Sequence, residues 1–187
     1  SQLNPEAQPL LGELEIHQEL DSTSKHLLRL AAAGAVTGTA CLAETQSGGR
    51  GRRGRTWVSP FGANIYLSVL WRFAQGPAAL SGLSLAIGVA VLEAVQALGI
   101  DGCGLKWPND VLWQGRKLAG VLLDLSAEAS GPSTVVIGGG LNVRMPENAA
   151  QTIDQPWVDL HSLLPARHPP RNHVAAKLNL LLADCYS

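Results

Sequence analysis

The spacing of apolar and polar residues changes several times along the chain, and each change predicts an element. Leu14, Ile16 and Leu20 partly follow a two-residue alternation, which predicts a strand ending at Asp21. Ser22, Thr23 and Ser24 then offer capping hydroxyls ahead of KHLLRLAAAG, where Leu27, Leu28, Leu30 and Ala31 recur at helical spacing and Gly34 supplies a stop. TACLAE, from Thr39, predicts a second strand, and the β-branched and aromatic run IYLSVLWRF from Ile65 a buried third. Pro77 opens the longest helical pattern, which leaves at Gly99 and is apolar on most faces, so it predicts a central helix lying on the sheet. Next, LKWPNDVLW and KLAGVLLDLS read as two strands joined at Gln114-Gly115, the first bending or changing partner at 107–110 because Pro108 cannot donate to a ladder. TVVIGGGLNVR is a further strand whose glycines leave room for something to lie against the backbone. A short helix in WVDLHSLL and a longer one in HVAAKLNLLLADC complete the reading. The last is so apolar that it predicts an uncovered face and a natural polypeptide that continues.

A length of 187 residues predicts one domain, and 46% hydrophobic with 16% charged residues describes a globular chain with a sizeable core. No uninterrupted apolar run of the roughly 20 residues a membrane helix needs is evident, and the N-terminus lacks the order of a signal peptide, so the expected location is cytoplasmic. Cys41, Cys103 and Cys185 are odd in number and widely spaced, which argues for small core residues rather than disulfides or a zinc site. His17, His26, His161, His168 and His173 form no HExxH and pair with no cysteine at metal spacing, and no GxSxG elbow is present, so neither a zinc enzyme nor a serine hydrolase is expected.

Charge changes the picture at one place. Four of the 14 lysines and arginines, Arg50, Arg52, Arg53 and Arg55, fall within GGRGRRGRTW in a chain of formal net charge −1. Glycines let backbone N–H groups converge on one acceptor while guanidinium forks bind phosphate or carboxylate. Taken alone, the loop reads equally as an anion clamp or as a solvated or RNA-contacting arm. Lys106 and Lys117 flank a turn that can bring them together, although a lysine is more commonly a surface charge; Asn109 and Asp110 suit a turn on local grounds.

In order, DSTS, QSGGRGRRGR, SPFGANIYLSV, KWPNDV, RKLAG and IGGGLNV closely resemble the catalytic domain of the biotin protein ligases, from about Leu14 to Leu164. The resemblance implies an α+β fold, a mixed β-sheet with helices packed mainly on one face and the substrate site on the other. It implies two half-reactions: biotin with Mg-ATP gives biotinyl-5′-adenylate and pyrophosphate, and a lysine of a carboxylase's biotin carboxyl carrier domain then takes the acyl group and releases AMP. By position in the motifs, Ser22, Thr23, Ser24, Gln46, Arg50, Gly51, Arg52, Lys117, Gly138 and Gly140 fall to biotin, with Arg52 and Lys117 catalytic. Arg55, Lys106, Asn109, Asn142 and Trp157 fall to the nucleotide, Trp157 as a stacking face, and Asp110 to holding Mg2+ or steering the incoming amine. Ser24 stands where many relatives carry Asn. Neither the family's helix-turn-helix domain nor its small C-terminal β-barrel is seen in this sequence, so 1–187 is expected to be one catalytic domain and not a repressor. No nucleic-acid or membrane partner is expected, and a homodimer is admitted. A lipoate or octanoyl ligase of the same fold is the rival enzyme, and a nucleic-acid-binding module the rival of another class.

Overall fold

The computed structural model describes residues 12–127, 132–167 and 169–184, so His168 and Cys185 lie outside the described residues. Strand β1 (Leu14–Leu20) leads through helix α1 (Thr23–Ala32) into β2 (Ala40–Gln46), and the two strands pair in parallel. Ser22 is the N-cap of α1, its hydroxyl accepting from the Lys25 N–H. At the other end Gly34 takes φ +94°, a left-handed conformation that costs a side-chain-bearing residue energy, and Gly34 N–H and Ala35 N–H close onto Ala31 and Leu30 carbonyls.

The remaining strands are β3 (Ile65–Phe73), β4 (Cys103–Lys106), β5 (Asp110–Trp113), β6 (Arg116–Ala127) and β7 (Ser133–Leu141). They form one seven-stranded mixed sheet in the order β1-β2-β3-β7-β6-β5-β4, all neighbours antiparallel except β1 and β2. LKWPNDVLW therefore makes two strands, so the segment changes partner at the proline and does not run on as one bent strand. Pro108 has no N–H for the ladder, and the chain reverses at 107–109 so that Lys106 pairs with Asp110.

Helices α2 (Leu83–Gln96) and α5 (Arg171–Asp184) pack on each other and on one sheet face, where Ile87, Val91 and Val95 meet Ile65, Leu67, Val69, Val135 and Ile137. The pattern from Pro77 is not one α-helix: Pro77–Leu80 is a 3-10 turn, and α2 restarts after Gly82, where glycine's poor helix propensity weakens a continuous ladder. By length and composition the 20 residues Pro77–Gln96 would nonetheless suffice to cross a membrane, which corrects the expectation that no such run exists; here the inner side of α2 is core. Nor is α5 left uncovered, since Val174, Ala175, Leu178 and Leu182 are buried in the same core.

Two short helices, α3 (Glu147–Ala150) and α4 (Leu160–Leu163), follow β7, the second capped by the Asp159 carboxylate on Ser162 N–H. Helix α1 lies on the opposite sheet face, with Leu27 packed on Cys41, Leu70 and Val136. It covers only part of that face. Further along the same rows stand Ser68, Gly138 and Leu122, then Tyr66, Gly140 and Gly120, and these hold the floor of the site.

Candidate active site

A cavity of about 830 Å³ opens on this face, within the range of small-molecule sites. It brings together every residue placed in a site from sequence: Ser22, Thr23, Ser24, Gln46, Arg50, Gly51, Arg52, Arg55, Lys106, Asn109, Asp110, Lys117, Gly138, Gly140, Asn142 and Trp157.

One end is neutral. Thr23 N–H and Oγ1 donate to Gln46 Oε1 at 2.9 and 3.2 Å, while Gln46 Nε2 donates to Ser59 Oγ at 3.2 Å. Ser68 Oγ lies 2.8 Å from Thr23 Oγ1 and 3.1 Å from Ser24 Oγ, so the start of α1 is tied by hydroxyls to the sheet floor. Gly138 is needed there, because a Cβ would collide with Ser24 Oγ. Ser68 and Ser59 escaped the sequence reading; Ser68 had a signal, being the polar residue inside the apolar run IYLSVLW.

Elsewhere the lining is basic: Arg50, Arg52, Arg53, Arg55, Lys106 and Lys117 share the cavity with two acids, Asp110 and Asp154. The arginine loop is bonded within itself. Arg50 and Thr56 form an antiparallel bridge, Gly51 N–H donates to Arg55 O at 2.7 Å, and Arg52–Gly54 makes a 3-10 turn. Arg50 reaches across the face to Asp124 at 2.8 Å, with its Nε buried and unpartnered. Arg52 Nη1 points at Asn109 Oδ1 over 3.5 Å, and Asn109 Nδ2 donates to the Val121 carbonyl.

Lys117 starts β6 just past the Gln114-Gly115 turn, and its Nζ lies 2.9 Å from Asp110 Oδ1, with both side chains more than four-fifths buried. The basic residues Arg52 and Lys117 thus reach adjacent residues of one turn, Asn109 and Asp110.

Trp57 lies beside Lys117. Its ring lies against Gly140 and Gly120, a Cβ at Gly140 would strike the indole, and Lys117 Nζ is 5.2 Å from the ring centroid, within cation–π range. The indole Nε1 is buried without a partner. Tyr66, on the Gly140 row, donates its hydroxyl to Pro60 O at 2.9 Å, and burial pushes its phenol well above the usual range, so it stays a neutral donor.

Asn142 plays a structural part whatever it binds. Its buried Nδ2 donates to Lys117 O at 3.2 Å and Val158 O at 3.1 Å, while Lys117 N–H donates to Pro156 O and Val158 N–H to Lys117 O. The segment bearing Trp157 is thereby laced to the strand bearing Lys117.

Residues 17–142 match the Biotin/lipoate A/B protein ligase family. The bifunctional ligase/repressor BirA of Escherichia coli is 43% identical over 178 residues, 92% of this chain and 54% of that protein. The biotin–[acetyl-CoA-carboxylase] ligase of Mycobacterium tuberculosis is 43% identical over 171 residues, 89% of this chain and 61% of its own length. This chain therefore spans little more than half the length of these curated relatives. Among solved structures, the biotin protein ligase from Aquifex aeolicus in complex with biotin and ATP superposes with a TM-score of 0.72 at 29% identity, over 92% of this chain and 69% of that one. The sheet, the cavity and these likenesses lead to one conclusion: the chain belongs to the Biotin/lipoate A/B protein ligase family.

Proposed function

We propose that this chain ligates biotin to a lysine of a biotin carboxyl carrier domain, with ATP as co-substrate and biotinyl-5′-adenylate as intermediate. The observation that carries the reading is one cavity lined both by neutral hydroxyls and an amide and by basic side chains, with Arg52 and Lys117 reaching adjacent residues of the same turn.

The chemistry requires such a division. Two unit negative charges 4 Å apart repel by about 4 kcal/mol at an effective dielectric of 20, so biotin's carboxylate and the α-phosphate of ATP do not approach unaided. Arg52 and Lys117 supply positive charge between them and stabilise the extra charge that grows as the carboxylate oxygen bonds to phosphorus and pyrophosphate leaves. Thr23, Ser24 and Gln46 offer the neutral donors and acceptors a ureido ring needs, over the floor at Gly138 and Gly140. Arg50 and Gly51 close the loop over the acid. Arg55, Lys106 and Asn109 face the phosphates, and Trp157, held by Asn142, offers a flat face to adenine. In the second half-reaction the carrier's ε-amine attacks the acyl carbon and AMP departs.

Asp110 is already paired with Lys117, a thin donor set for a resident Mg2+ but adequate for one that arrives with nucleotide phosphates, since Mg2+ commonly takes one or two carboxylates beside them. Asp110 would then hold the ion, which supplies neutralisation of phosphate charge.

The test is a mass measurement after incubation with biotin, Mg-ATP and a carrier domain. The reading expects one biotinyl group on the carrier lysine, with AMP and pyrophosphate. It fails if no adduct and no biotin-dependent pyrophosphate appear, or if lipoate supports the reaction and biotin does not.

A further inference from the structure

Under the first turns of α1, outside the cavity lining, a group of side chains converges that the proposed reaction does not use. Alternation along β1 puts Glu15 and His17 on the side that α1 covers, the β1–β2 register sets Cys41 opposite Glu15, and His26 comes down from α1. His17 Nε2 and His26 Nε2 both point at Glu15 Oε2, at 2.8 and 2.7 Å. The imidazoles meet edge-on with centroids 4.8 Å apart, and a ligating atom from each of His17, His26 and Cys41 lies within 4.8 Å of the others.

Both Nε2 atoms converge on one carboxylate oxygen of Glu15, so an ion would displace or share that oxygen; two imidazoles from different elements with a sulfur nearby are then the donors a tetrahedral ion takes. Zinc–nitrogen and zinc–sulfur bonds of about 2.0–2.3 Å place ligand atoms roughly 3.3–3.7 Å apart, so the group must contract by about 1 Å, within the reach of side-chain rotation. The donors select the ion: a thiol with two imidazoles disfavours Mg2+ and Ca2+, which prefer oxygen, and suits borderline-soft metals. The group is also dry at the sulfur, Cys41 being 0% exposed, and open at the imidazoles, whose side chains are 32% and 19% exposed, so an ion has a way in.

We propose that His17, His26 and Cys41, with Glu15, form a binding site for a divalent transition metal of the zinc class, which pins α1 to β1 and β2. Burial, and then the nearby Glu15 carboxylate, push the Cys41 thiol up to about 12, so without metal it is a neutral thiol. On binding, the thiol proton goes to solvent and a sulfur–metal bond forms, with no redox step. Spacing in the sequence hid the group because strand register, not proximity along the chain, brings Cys41 to the histidines.

Cobalt(II) is the probe. Titration of the chain, stripped of metal, is expected to saturate at one equivalent, give a thiolate-to-cobalt charge-transfer band, and reverse with zinc. Zinc should also raise Tm. His17→Ala and His26→Ala should each weaken binding by roughly tenfold or more, and Cys41→Ser should remove the charge-transfer band. Should the buried Cys41 variant fail to fold, the histidine variants and the band of the parent protein still decide. The proposal is overturned by no binding, by cobalt bound without the sulfur band, or by affinity that His17→Ala and His26→Ala leave within threefold.

Discussion

Lys117→Ala is the substitution with the most to say about the proposed chemistry. The parent ammonium lies 2.9 Å from Asp110 and 5.2 Å from the Trp57 ring centroid, in a site where its side chain is only 15% exposed. Alanine leaves Asp110 as an uncompensated, largely buried negative charge on the wall that must receive two more acids. If the lysine removes most of the roughly 4 kcal/mol repulsion between carboxylate and phosphate, its loss slows adenylation by about 10³-fold, at 1.36 kcal/mol per decade. In the proposed reading biotin's neutral end meets Thr23, Ser24 and Gln46 instead, so its affinity should fall much less. Single-turnover pyrophosphate release at saturating biotin and ATP, set beside calorimetric biotin binding, separates the two effects. A variant that binds biotin poorly yet turns over normally at saturation would refute the reasoning.

Other substitutions probe the floor, the lacing and the edge of the sheet. Gly140→Ala overpacks the floor against the Trp57 indole and should cost about 1–3 kcal/mol in a denaturant titration or expel the indole, weakening nucleotide binding; unchanged stability and unchanged affinity together would show that the floor is not tight. Asn142→Ala removes two buried hydrogen bonds and should destabilise by about 1–3 kcal/mol while raising the KM for ATP, as thermal unfolding and kinetics can read. Hydrogen bonds from His17 and then His26 hold the Glu15 carboxyl below its ordinary 4.5. A depressed folded pKa stabilises above the unfolded value and is lost as pH falls through the folded one, so the denaturant midpoint should drop on acidification below about 4.3, less in Glu15→Gln; equal slopes for the two proteins would remove this contribution.

Local signals carried much of the architecture. The hydroxyls at Ser22 and Thr23 and the glycine at Gly34 mark both ends of α1, and the Gln114-Gly115 turn places Lys117 opposite Leu112 across the hairpin. What sequence could not give was set by pairing between distant segments. The reversal at 107–109 depends on β5 pairing with β6 as well as with β4, whereas the break at Gly82 had a local signal in the glycine itself. α5 looked uncovered because its partner α2 lies far away in the chain. In the site, charged residues announced themselves through the density of arginines, whereas Trp57 did not. Its importance comes from lying on Gly140 and Gly120, two strands that only the β6–β7 register brings side by side. The same limit hid the group around Glu15, where histidines and a cysteine with no motif spacing meet through register alone.

The central claim is that Arg52 and Lys117 jointly hold two acids that would otherwise repel. A crystal structure with biotin and a non-hydrolysable ATP analogue tests it most directly. The account predicts the biotin carboxylate and the α-phosphate side by side, with Lys117 Nζ and the Arg52 guanidinium both within hydrogen-bond reach of that pair. Biotin and nucleotide bound with either residue turned to solvent, or at separate surfaces, would contradict it.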